Sequence, residues 1–123
     1  MKSKTIAFDL DGVLCYRTTE EGAIAKYKTC KPLLEMIKIT NQCYDNGYKI
    51  IIYTARGMNS YKGNVALVYS NLYELTKKQL KDWGIKYHQL VMGKQHYDLL
   101  IDDKAVNSLH IGCYNDVDAG VKP

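Results

Sequence analysis

In IAFDLDGVLC, residues 6–15, an apolar run stops at two acids, Asp9 and Asp11. Desolvating a carboxylate without a partner is costly, so acids at a strand end need a reason. Side chains at i and i+2 of a strand share a face, so the two carboxylates point one way if the extended geometry continues through Leu10. Gly12 lets the backbone turn sharply after them. One acid can then attack a substrate while the other handles protons. A second pair, Asp102 and Asp103, closes the run LLI. Carboxylates gathered at one sheet edge repel each other, and a divalent cation relieves that repulsion. Hard oxygen ligands suit Mg²⁺. Lys94 and Arg56 fall in loops expected at the same edge, where they can hold an anion. Thr54 offers a hydroxyl to a phosphate oxygen. Together these groups suit phosphoryl transfer.

The elements that must position them follow from periodicity. KTIAFD, residues 4–9, reads as a short buried strand, and residues 12–31 as a loop able to hold a hairpin. Pro32 opens a helix as its first residue, with Leu33, Met36, Ile37, Thr40 and Tyr44 at helical spacing and a stop at Asn46 and Gly47. YKIIIYTAR is a strand of the kind covered on both faces of a parallel sheet. After the loop ARGMNSYKGN, a second amphipathic helix runs from Asn64 through Val65, Val68, Leu72, Leu75 and Trp83 to Gly84. KYHQLVM is a weaker third strand, HYDLLIDD a fourth, and AVNSLHIG a short helix. The tail NDVDAGVKP reads as loosely held. Strands alternating with helices predict one α/β domain over residues 1–123, a three-layer Rossmann-like fold with a mostly parallel sheet. Such sheets bind ligands beyond the carboxyl ends of their strands, where Asp9, Thr54 and Asp102 fall.

Four segments in order carry a resemblance. FDLDGVL, IIYTAR, the GK of Gly93 and Lys94, and LLIDDKA resemble the four motifs of the haloacid dehalogenase (HAD) superfamily of phosphotransferases. The fuller wording, TARGM and GKQHYDLLIDDKA, is similar to a group of small bacterial phosphatases linked to capsule and surface-polysaccharide biosynthesis. The resemblance implies an HAD-like fold and a Mg²⁺-dependent phosphatase. Asp9 would be the nucleophile that forms an aspartyl-phosphate, and Asp11 the residue that protonates the leaving oxygen and then activates water. Thr54 and Lys94 would bind the transferring phosphoryl group. The metal would sit on Asp9, the Asp11 carbonyl and Asp102, with Asp103 bound directly or through water. Arg56 has no superfamily-wide role, and its position suggests contact with substrate. The gaps between motifs leave no room for a large cap domain. The site is therefore expected to be open unless residues 15–31 or a second copy in a homo-oligomer cover it.

Taken singly, each residue also has an ordinary reading. Asp9 and Asp11 fit a strand-end turn, Asp103 a helix cap, Thr54 a strand position and Lys94 a solvated loop. His88, His96 and His110 read as structural or surface residues, although His96 lies beside Lys94. Trp83 reads as core, and the four cysteines as small buried hydrophobes.

The bulk properties narrow the function. A net charge of +4 comes from scattered lysines and suits an anionic substrate, while no basic block marks a nucleic-acid binder. No apolar run approaches the roughly 20 residues of a membrane span. With no leader-like start and no CxxC pair, the cysteines read as reduced thiols of a cytoplasmic protein. The expected activity is hydrolysis of a small phosphorylated metabolite such as a sugar or polyol phosphate. Three other functions fit parts of the pattern: a phosphatase for a phosphoprotein or nucleic-acid end, a phosphate-binding regulatory module without catalysis, and a nucleotide-sugar transferase with an acidic DxD motif.

Overall fold

A computed structural model describes residues 4–121. The first three residues and the last two, which include the end of the NDVDAGVKP tail, lie outside the described part. The sheet has three parallel strands in the order β1 (Thr5–Phe8), β4 (Lys49–Tyr53), β5 (Gln89–Val91). Ile6 lies opposite Ile50, and Ile52 opposite both Phe8 and Leu90. Ile50 and Ile52 are fully buried, whereas Ile51 is only partly covered and Tyr53 is exposed. The apolar run of β4 thus has one sealed face and one half-open face, less cover than its composition suggested.

Between β1 and β4 the chain forms a small antiparallel ribbon, β2 (Cys15–Tyr16) with β3 (Lys31–Pro32), around the single-turn helix α1 (Ala25–Lys28). This is the hairpin expected within 12–31. Pro32 does not open a helix. It pairs with Cys15, and the Leu33 N–H donates to the Leu14 carbonyl at 2.9 Å. That bond holds the chain extended through Leu33, so helix α2 begins two residues beyond the proline and runs Leu34–Asp45. Helix α3, Val65–Asp82, starts at Asn64, whose side chain accepts the Leu67 N–H at 3.2 Å. Gly84, just past its end, takes the positive φ that closes helices.

Two expectations fail near the C-terminus. HYDLLIDD forms no strand: Leu99 and Ile101 are 77% and 90% exposed. A strand is stable only with a partner edge, and here Asp102 folds back to accept the Lys104 N–H at 2.8 Å, a local turn that competes with extension. AVNSLHIG contributes only a 3-10 turn, Ser108–His110. The tail, in contrast, is ordered as helix α4, Tyr114–Val121. Tyr114, Val117 and Val121 recur at helical spacing, Val117 is buried, and α4 packs on α2. The Tyr48 hydroxyl, bonded to the Asp118 carboxylate, ties α4 to the turn before β4.

One core joins all of this. It includes Phe8 and Leu10 from the first motif, Ile50 and Ile52 from β4, Ile37 and Cys43 from α2, and Val68, Leu72 and Leu80 from α3. The observed architecture is a mixed α/β domain with a parallel three-stranded sheet. No helix among the described residues is long and apolar enough to cross a membrane.

Candidate active site

Asp9, Thr54 and Lys94 each follow the carboxyl end of a strand of the parallel sheet, after β1, β4 and β5 respectively. The backbone ladder continues past the strand ends: Thr54 N–H donates to Val91, and Lys94 N–H donates to the Thr54 carbonyl at 3.2 Å. This pairing fixes the two residues side by side. Asp9, Ala55, Lys94, Gln95, His96 and Tyr97 line an open cleft of about 220 Å³. The ammonium of Lys94 lies over two rings, 5.4 Å from the centre of Tyr53 and 5.3 Å from that of Tyr97. His96, read from sequence as structural or surface, thus reaches the cleft wall.

Asp9 accepts the Leu10 N–H at 2.8 Å. Burial pushes its carboxyl above the usual range, while the Lys94 charge and that hydrogen bond pull it back part of the way. Asp11 has a different environment. Gly12 turns at φ +90°, and the carboxylate of Asp11 points into the protein, where Arg56 grips it with two bonds, Nε to Oδ2 at 2.9 Å and Nη2 to Oδ1 at 2.8 Å. Burial by itself would raise the Asp11 carboxyl. Arg56 more than offsets that through its hydrogen bonds and charge, with help from the Cys15 thiol and Arg17, and holds it below the usual range. Asp11 is thus a carboxylate at neutral pH, suited to accept a proton. To donate one it must first be protonated against the pull of Arg56.

Arg56 is 2% exposed, and its guanidinium is engaged on every side. Besides Asp11, Nη1 donates to Thr76 Oγ1 at 3.2 Å and to Gln79 Oε1 at 2.5 Å, and the Tyr27 ring lies 5.0 Å below it. Gln79 in turn donates to the Tyr27 carbonyl, and the Tyr27 hydroxyl accepts the Gly57 N–H at 3.0 Å. A side chain expected to touch substrate instead braces Asp11 from behind. Tyr27, Thr76 and Gln79 were not singled out from the sequence. A signal existed: Thr76 and Gln79 are polar residues on the Val68, Leu72, Leu80 stripe of α3, where burial demands partners. A Cβ at Gly57 would collide with the buried Leu72 side chain.

Thr54 is buried, and its Oγ1 accepts the Arg56 N–H at 3.0 Å. Its own hydroxyl proton remains available for donation. Asp102 and Asp103 are exposed on the irregular segment after β5. Among the described residues, the only group of three or more metal-ligating side chains with donor atoms within 4.8 Å of one another is Asp11, Cys15 and Cys30. The side chains of Asp9, Asp11, Asp102 and Asp103 thus do not gather three together within that distance. Their hard oxygens suit Mg²⁺, with the Asp11 carbonyl as a further ligand. Elsewhere, His88 Nδ1 accepts the Ile50 N–H and its ring stacks on Tyr44, a structural role. Cys15, Cys30 and Cys43 are buried as expected, while Cys113 is exposed.

No family model matches the chain, and no match is found among curated proteins. Solved structures do share the fold. A structural-genomics target from Vibrio cholerae superposes with a TM-score of 0.79 at 26% identity, over 95% of this chain and 96% of that one. A chain in the structure of the Pnkp1/Rnl/Hen1 complex superposes with a TM-score of 0.54 at 22% identity, over 78% of this chain and 30% of that one.

Proposed function

We propose that this chain is a phosphomonoester hydrolase of the haloacid dehalogenase type that works through an aspartyl-phosphate on Asp9. The observation that carries the reading is the common cleft of Asp9 and Lys94, with Thr54 beside Lys94, at the carboxyl edge of parallel strands. Lys94 and the Thr54 hydroxyl hold the phosphoryl oxygens. An Asp9 oxygen attacks phosphorus, the bond to the leaving oxygen breaks, and that oxygen takes the proton of a protonated Asp11. Water then attacks phosphorus, giving its proton to Asp11, and frees Asp9 and inorganic phosphate. Arg56 favours the ionised form of Asp11 that this second step needs.

The finer fold belongs to the same reading. β1 pairs only with β4 among the described strands, so its other edge is open. The exposed run Leu99–Ile101 has the composition of a strand that would fill it. Docking there would carry Asp102 and Asp103 to the Asp9 end of the sheet and complete a hard-oxygen site for Mg²⁺. The small cleft suits a compact metabolite, a sugar or polyol phosphate such as surface-polysaccharide synthesis uses in the cytoplasm. Pairing of two copies would close the open cleft.

The test is phosphate release from a panel of sugar, polyol and nucleoside phosphates, with a phosphopeptide and a 3′-phosphorylated oligonucleotide included. Turnover is expected on a sugar or polyol phosphate, and Asp9→Asn is expected to abolish it. Activity that survives in Asp9→Asn removes the nucleophile assignment. Preference for the oligonucleotide or the phosphopeptide replaces the substrate class, and no turnover on any of them favours a binding module.

A further inference from the structure

Behind Asp11 lie two cysteines that the phosphatase reading does not use. Cys15 is in β2 and Cys30 stands one residue before β3, so the antiparallel ribbon brings them to neighbouring positions. Cys15 Sγ is 3.3 Å and Cys30 Sγ 3.6 Å from the same oxygen, Asp11 Oδ1. The two sulfurs lie within 4.8 Å of each other, and both are free thiols. Arg56 Nη2 reaches Cys15 at 3.6 Å and Cys30 at 3.8 Å, while bonding Asp11 Oδ1 at 2.8 Å. The guanidinium thus occupies the place where a cation bound to these three residues would sit, which argues against a metal. What the sulfurs can reach is each other. A bond of about 2.05 Å requires them to close a gap of less than roughly 3 Å by side-chain rotation and a small movement of the ribbon.

We propose that Cys15 and Cys30 form a reversible disulfide, a redox-modification site built against the Asp11–Arg56 pair. The oxidant is a small disulfide such as oxidised glutathione. Cys30, slightly the more accessible at 7% against 0%, attacks one sulfur of that disulfide. A mixed disulfide forms and one glutathione leaves with the Cys30 proton. Cys15 sulfur then attacks Cys30 sulfur, the intramolecular bond forms, and the second glutathione leaves with the Cys15 proton. The protein loses two electrons and glutathione disulfide gains two. Asp11 loses two S–H donors, and the ribbon over it is locked. The consequence for turnover rests on the phosphatase reading, whereas the disulfide itself does not.

The experiment equilibrates the 123-residue chain with stepped ratios of oxidised to reduced glutathione, traps free thiols by alkylation and maps peptides after trypsin. Arg17, Lys26 and Lys28 lie between the two cysteines, so each falls on its own peptide and a cross-link appears as their sum. Cys113, exposed, reports that the oxidant is active. The expected result is a Cys15–Cys30 cross-link, a raised thermal midpoint and reversal of both by dithiothreitol. Cys15 and Cys30 that stay alkylatable, or carry only glutathione, while Cys113 is fully modified would overturn the proposal. In the same samples turnover should fall about tenfold or more, the scale of loss that ångström displacements of reacting groups bring. Cys30→Ser, or Cys30→Ala if the serine variant does not fold, should form no such cross-link and show no fall in turnover across the same buffers. Full turnover in fully cross-linked protein would remove the coupling to Asp11. Turnover absent even in the reduced chain would count against the phosphatase reading alone and leave the cross-link result standing.

Discussion

Asp9 and Asp11 are two residues apart and carry opposite electrostatic histories. Burial lifts the first, and a buried arginine lowers the second. The Asp11–Arg56 pair is also structural, because a guanidinium that loses its partner inside the protein keeps its desolvation cost. Asp11→Asn should therefore unfold about 3 kcal/mol more easily at neutral pH, as judged by denaturant midpoints. The sign of the pH dependence follows from the direction of the shift. The folded Asp11 carboxyl lies below its ordinary 3.8, so its contribution is complete above that value and fades as pH falls through the folded one. The gap between native and variant should close over that acid window. Equal stability at neutral pH would mean that Arg56 finds other partners.

At the element scale, short pieces are held by single side chains. Helix α4 has eight residues, too few to persist alone in water, and it depends on Val117 and on the Tyr48–Asp118 bond. That bond, together with burial, raises the Tyr48 hydroxyl to about 12, so Tyr48 stays protonated and donating across the ordinary range. Val117→Ala removes two buried carbons' worth of packing, about 1.5 kcal/mol. It should speed amide exchange in residues 114–121 more than in β4. Uniform loss across the chain would show instead that α4 unfolds only with the whole domain. The ribbon of β2 and β3 does comparable work with two residues a side, because Cys15, Tyr27 and Cys30 bury themselves against Asp11 and Arg56.

At the scale of the whole molecule, the segment after β5 leaves Leu99, Leu100, Ile101 and Leu109 exposed, and among the described strands β1 pairs on one side only, with β4. Apolar side chains exposed in a run invite a cover. In the phosphatase reading the cover is β1 itself, with Mg²⁺ drawing Asp102 and Asp103 into place. Trypsin should then cut first after Lys104 in metal-free protein, and Mg²⁺ should protect that bond. Asp102→Asn with Asp103→Asn should abolish the protection whether or not the protein turns over a substrate. Equal cleavage with and without Mg²⁺ would reject metal-driven docking.

Much of this was legible from local rules. Asn64 as a helix start, Gly47 and Gly84 as stops, Gly12 as a turn and the β-branched run of Ile50–Ile52 each act through backbone preferences or periodicity that a neighbour several residues away can report. Asp9, Thr54 and Lys94 were legible for the same reason, since strand ends of a parallel sheet share an edge. Only the tertiary structure decided that Arg56 turns inward to Asp11. Its partners Thr76 and Gln79 lie 20 and 23 residues away, and the choice between solvent and a buried carboxylate is set by the space around it. Only the tertiary structure could separate LLI from a strand, because a strand needs an edge to pair with, and composition carries no information about which edges are free.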